Sequence, residues 1–158
     1  MLDKTIDLHN HTLNYDNNII YIAFDEKNLE PYFHANQLCQ TLEYNNCMAA
    51  INNNVDNSDL KKLKDIVKNY KTLYKSVQGN TIFLNVTGMY SLVLSSKKEK
   101  AEEIKNWIIR EVMPSLRKYK EYTLKYRYKK QIEKLNKVIN NQKNKIKILE
   151  HYLKKTKI

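Results

Sequence analysis

The sequence predicts an α+β fold: a small antiparallel sheet with packed helices, among them a helix-turn-helix-like pair, followed by a long C-terminal coiled-coil helix. Three observations carry that prediction. Short β-rich runs stand near the N-terminus, at 18–34. The apolar spacing then changes to three and four residues, which is the period of a helix face. From Tyr128 onward a seven-residue repeat runs without a breaker. The chain has 158 residues, 42% of them hydrophobic, with only 2 glycines and 2 prolines. That is enough for one modest core and an appended element, and it argues against a loop-rich chain.

Taken in order, residues 1–17 are polar without a sustained period and predict a loosely held N-terminal arm. "NIIYIAFDE" (18–26) predicts a strand, "KN" (27–28) a turn and "LEPYFH" (29–34) a return strand. Pro31 suits an edge or the start of that strand, because it cannot donate to a ladder. Ala35, Leu38, Cys39 and Leu42 then line one face of a helix. Asn45 and Asn46 can cap a second helix, whose apolar side is Met48, Ala49, Ile51 and Val55. "SDLKKLKDIVKNY" (58–70) predicts a helix capped by Ser58. "KTLYKSV" (71–77) and "TIFLNV" (81–86) predict a hairpin around Gln78-Gly79-Asn80, with Gly79 at positive φ.

Thr87 is expected to cap a buried helix over "GMYSLVLSS", and residues 97–113 to form an amphipathic one. The latter places Ala101, Ile104, Trp107, Ile108 and Val112 on one face. Pro114 disfavours α geometry at Met113 and is at home in a first helical turn, so a boundary is expected there, redirecting the chain out of the core. Beyond it, Ile132, Leu135, Ile139, Gln142, Ile146, Leu149 and Leu153 are spaced alternately by three and four, and Tyr128 extends the pattern backward. Isoleucine at position a with leucine at d favours a parallel two-stranded coil, and Gln142 can fix its register. The expected domains are the arm 1–17, a globular domain 18–122 and a basic helix 123–158 that homodimerises.

Two segments together resemble a known family. "EPYFHANQLCQTLEYNNCMAAINNNVDNSD" is similar to the first motif of the baculovirus-repeated-open-reading-frame N-terminal domain, the Bro-N domain: a strand, a helix, a tight turn and a second helix. "NTIFLNVTGMYSLVLSSKKEKAEEIKNWIIREVMPSLRKYKEY" resembles its second motif, through Asn85, Gly88, Tyr90, Leu92, Ser95, Ser96, Lys97, Trp107, Glu111, Val112, Pro114, Ser115, Leu116, Arg117 and Lys118. The resemblance covers about residues 19–122. Where the family usually carries glycine in the inter-helix turn, this chain has Glu43. A helix break common in the family is missing over Tyr119 to Glu121, so the helix is expected to run on. The resemblance implies a small α+β domain of large DNA viruses and their mobile relatives, associated with DNA binding and regulation of transcription or replication.

The charge pattern is read independently of that resemblance. The net charge is +11, but residues 1–60 hold 2 basic and 9 acidic residues, whereas 61–100 hold 9 and 2, and 101–158 hold 17 and 6. A basic back half suits a polyanion, with nucleic acid the commonest. Lys97, Lys98 and Lys100, with Arg117, Lys118 and Lys120, are the candidate phosphate contacts. Asn45, Asn46 and Asn52 on the second helix are the candidate base readers, because asparagine pairs bidentately with adenine. The target is DNA, single- or double-stranded, or RNA; Tyr119, Tyr122, Tyr126 and Tyr128 can stack on unpaired bases if it is single-stranded, although for Tyr128 packing in the seam is the better fit.

The alternative is a protein-interaction adaptor whose head binds a viral or host partner and whose coil hetero-oligomerises. Salt separates the two, since phosphate binding weakens steeply as salt rises. No Gly-rich phosphate loop, nucleophile constellation or metal cluster is recognisable, so no enzyme, cofactor or metal is expected. No apolar run reaches the roughly 18 residues of a membrane span. Two cysteines fall short of a secreted disulfide framework. An intracellular protein of the host nucleus or cytoplasm is expected.

Overall fold

The computed structural model describes residues 3–157. Six strands form one antiparallel sheet in the order β1-β2-β3-β4-β6-β5. They are β1 (Lys4–Asp7), β2 (Thr12–Tyr15), β3 (Asn18–Phe24), β4 (Pro31–His34), β5 (Leu60–Lys62) and β6 (Ile82–Leu84). The helices are α1 (Ala35–Thr41), α2 (Cys47–Asn54), α3 (Leu63–Ile66), α4 (Tyr70–Leu73), α5 (Val86–Ser95), α6 (Glu99–Trp107) and α7 (Met113–Thr156). The chain divides into two compact units, Met1–Tyr119 and Lys120–Ile158. The long C-terminal helix expected from the heptads is α7.

The N-terminal segment is not a loosely held arm. Lys4–Asp7 pairs with Thr12–Tyr15, which pairs in turn with β3, Leu13 opposite Ile20. Its polar composition hides two inward positions: Leu13 and Tyr15 are fully buried. Tyr15 packs its ring at a tilt on Trp107, 5.3 Å between centroids, and its hydroxyl donates a hydrogen bond to Glu103. Residues 58–77 also depart from expectation. Instead of one helix and a strand they form a 3-10 turn (Asn57–Asp59), the short strand β5, and the single turns α3 and α4. Leu63, Ile66, Val67 and Tyr74 pack with Ala23 and Phe83 into one cluster. β6 pairs with β5 and β4 rather than with residues 71–77. Gly79 keeps a negative φ; it is required for space, since a Cβ there would lie 2.6 Å from the Tyr70 hydroxyl.

Pro31 opens β4, opposite Phe24, and so removes no ladder bond inside the strand. His34 ends β4 and caps α1, its Nδ1 accepting from the Gln37 N–H at 3.2 Å. Burial disfavours its charged form and pulls its pKa down to about 4. Helix α1 then closes in a Schellman motif: Glu43 N–H donates to Gln40 O, and Tyr44 N–H to Cys39 O. Glu43 takes the left-handed conformation, φ 59°, that this motif normally gives to glycine. The turn is therefore tight despite the side chain. Across it, Cys39 and Cys47 form a disulfide, a pairing the cysteine count did not suggest.

The cap of α5 is Asn85, not Thr87. Its Oδ1 accepts from the Gly88 N–H, and its amide donates to Asp59 Oδ1. Gly88 is required for close approach: a Cβ would meet Val55 Cγ1 and Asp59 Cβ, each at 3.2 Å. After α6, residues Ile108–Val112 form a π-helical turn, in which Met113 N–H reaches back to Ile108 O. Met113 stays in α geometry (φ −64°, ψ −41°), so Pro114 does not end the helix. The wider turn supplies the register in which a residue without an N–H is tolerated.

Candidate nucleic-acid interface

The expected base-reading pair is present as α1 and α2. Asn46 is the N-cap of α2, its Oδ1 accepting from the Ala49 N–H at 3.1 Å, so that oxygen is committed to the backbone. Asn54 likewise donates to Ala50 O. Asn45 and Asn52 are exposed, and Asn52 lies on the rim of a cleft of about 390 Å³ with Ala35, Asn36, Cys47, Met48, Ile51, Leu60, Thr81 and Ile82. None of those side chains is charged. Sequence reasoning found Asn52 but missed Asn36 and the cleft. Thr81 and Ile82 at the start of β6 bring part of the far wall from more than twenty residues away, and no local signal announces it.

The candidate phosphate contacts fall on separate elements. Lys97 and Lys98 occupy the exposed link between α5 and α6, beside a cleft of about 230 Å³ that Lys105 and Glu102 also border. Lys100 is tied up inside the fold. Its Nζ lies 3.4 Å from Asp16 and 3.7 Å from Glu43, and 6.0 Å from the centre of the Tyr15 ring. Arg117 and Lys118 are exposed on the first turns of α7. Tyr119, beside them, packs its ring on Phe24 at 4.8 Å and near His11 at 6.5 Å, so packing accounts for it better than stacking on bases. His11 Nδ1 meets the Tyr74 hydroxyl at 2.9 Å, and burial lowers the His11 pKa while raising that of Tyr74.

The second unit, which includes Lys120, is the greater part of α7. Its seam residues Ile132, Leu135, Ile139, Ile146, Leu149 and Leu153 are each between 48% and 62% exposed in the single chain. Tyr122, Tyr126 and Tyr128 are exposed as well, with Lys130 Nζ 5.6 Å from the centre of the Tyr126 ring. Among the described residues no group of acidic, histidine and cysteine side chains could hold a metal ion, and no helix is long and apolar enough to cross a membrane.

Comparison with known proteins places this geometry. The family model described as the BRO family, N-terminal domain, matches residues 18–114. The chain is 27% identical over 124 residues to the Bro-N domain-containing protein 019R of Invertebrate iridescent virus 3, covering 68% of this chain and 30% of that protein. It is 30% identical over 113 residues to an uncharacterised protein of Haemophilus influenzae, covering 72% of this chain and 52% of that one. Identity to the Bro-N domain-containing protein L2 of Acanthamoeba polyphaga mimivirus is 27% over 123 residues, 72% of this chain and 50% of the relative. The chain thus spans about a third to a half of the length of these relatives. No solved structure matches.

Proposed function

The chain belongs to the BRO family through its N-terminal domain, and on that premise we propose that it is a non-enzymatic nucleic-acid-binding protein acting in viral transcription or replication. The supporting observation is the placement of charge. Of the 28 basic residues 26 lie after residue 60, against 8 of the 17 acidic ones, and Lys97, Lys98, Arg117 and Lys118 are all exposed. Exposed lysine and arginine on a rigid frame release counterions from a phosphate backbone, which sets affinity and position but not sequence. Lys100, held by two carboxylates, contributes little to that binding.

The same reading assigns α7 to homodimerisation. Six apolar side chains at heptad spacing stand exposed, and burying them against a second copy is the ordinary solution for such a stripe. A parallel pairing sets Gln142 beside its own counterpart and brings Lys145 of one copy toward Glu150 of the other.

Fluorescence anisotropy with labelled single-stranded and duplex DNA at two salt concentrations tests the proposal. Binding should weaken steeply with salt. Arg117→Ala with Lys118→Ala should weaken it about equally for every sequence and flatten the salt slope, while Lys100→Ala should have a smaller effect. Absence of binding at low salt would refute the nucleic-acid reading and favour a protein adaptor.

A further inference from the structure

We propose that the cleft between α2 and the β5–β6 edge is a pocket for one unpaired nucleobase, with Asn36 and Asn52 as its polar contacts. The inference deepens the nucleic-acid reading and rests on it. The cleft measures about 390 Å³, within the range of small-molecule sites. Its bed is apolar, supplied by Met48, Ile51, Leu60 and Ile82, and Met48 is 74% exposed, which leaves its flexible thioether free to settle on a flat ring. No lining side chain is charged, which suits a neutral aromatic ligand better than a carboxylate or a cation.

The polar groups fit the edge of a base. Among the described residues, Asn36 and Asn52 make no side-chain hydrogen bond within the chain, whereas Asn46 and Asn54 are committed to the backbone. Each free amide offers a donor and an acceptor, the pairing that a base edge presents. A phosphate group is also within the geometry. Lys62 pairs directly with Ile82 across the β5–β6 ladder, and residues opposite one another on an antiparallel pair share a face. Lys62 is exposed and shares the sheet face of Ile82, which lines the cleft. The Cys39–Cys47 disulfide anchors the first residue of α2, next to Met48, to α1 and holds the wall in place.

A base inside a duplex cannot enter such a cleft without leaving its stack, so the pocket predicts preference for unpaired nucleotides. The test compares the full-length protein on labelled single strands of equal length and phosphate number, one of thymidine and one of abasic residues, with a duplex alongside. The intact strand should bind about tenfold more tightly than the abasic one, the scale of two amides hydrogen-bonded to one base edge. Asn36→Ala with Asn52→Ala should erase that difference and leave abasic-strand affinity unchanged, with Trp107 fluorescence confirming the fold. The 13C-methyl resonance of Met48 should shift on adding the intact strand and not the abasic one. Equal affinity for the two strands, or a double variant that still discriminates, would overturn the pocket while leaving backbone binding intact. A protein ligand would then be the better occupant of the cleft. Failure of every strand to bind would refute the nucleic-acid reading itself, and the pocket with it.

Discussion

Replacing Glu43 by glycine should stabilise the protein, although it deletes an ion pair. Glu43 is the residue after the α1 cap and is held at φ 59° by two backbone bonds, Glu43 N–H to Gln40 O and Tyr44 N–H to Cys39 O. A residue with a Cβ in that region costs on the order of 1–2 kcal/mol relative to glycine. Part of that gain is lost because glycine has more freedom in the unfolded chain, by roughly 0.5–1 kcal/mol. The Glu43 carboxylate also faces Lys100 at 3.7 Å, but its side chain is 52% exposed, and such pairs contribute under about 0.5 kcal/mol. Lys100 keeps Asp16 at 3.4 Å in the variant. The net expectation is a gain of about 0.5 kcal/mol. Glu43→Ala removes the same ion pair but retains the strained backbone, and should be neutral or slightly destabilising. Urea unfolding followed by Trp107 fluorescence reads the head directly, because this is the one tryptophan in the chain and is 3% exposed. With m near 2 kcal/mol/M the midpoint should rise by roughly 0.2–0.3 M for glycine and not for alanine. A glycine variant no more stable than the alanine one would refute the attribution of strain to Glu43.

His34 should make the head acid-sensitive: its folded pKa of about 4 lies below the ordinary 6.5, so its stabilising contribution is complete above pH 6.5 and is lost as pH falls from there toward 4. The unfolding free energy measured in urea should drop across that window by at most about 1.4 kcal/mol per pH unit, less for solvent screening at this partly exposed ring, and His34→Asn should keep the cap while removing that share. His11, also lowered by burial, acts in the same direction. Gly88→Ala should cost about 1–3 kcal/mol in the same unfolding assay, because the added methyl meets Val55 and Asp59 at 3.2 Å. Ile139→Lys should leave the head intact by Trp107 fluorescence yet render the chain monomeric in analytical ultracentrifugation; a wild-type chain that is itself monomeric at high salt would refute the seam.

Elements whose evidence lies within one short window were legible in the sequence. The β3–β4 hairpin and the α1–α2 pair with Asn46 as cap each follow from local spacing and one recognisable capping or turn residue, and the long helix α7 from its unbroken helical spacing. The N-terminal strands were not, because Lys4, Thr5 and Asp7 give β1 the composition of a tail. What orders it is β2, itself laddered to β3 across a two-residue turn, and the remote Trp107, which packs against Tyr15. The same distance explains Lys100, which looks like a phosphate contact in sequence and is neutralised in the fold by Asp16 and Glu43.

The segment 58–80 shows why such failures fall where they do. Its lysines leave Leu60, Leu63, Ile66 and Val67 at intervals that fit a helix face, and a window centred there contains nothing to oppose a helix. The competing force is β6: Leu60 finds Leu84, and Lys62 finds Ile82, at a separation no window spans. Once that ladder forms, Leu63 and Ile66 can be buried by a single helical turn, and a longer helix would pull Leu60 off the sheet. The same pairing builds the outer wall of the α2 cleft. The candidate base pocket was thus hidden from the sequence for the reason the helix was misassigned. Both depend on one long-range strand pairing, and a substitution that weakens it, such as Leu60→Asp, should lose the strand and the pocket together.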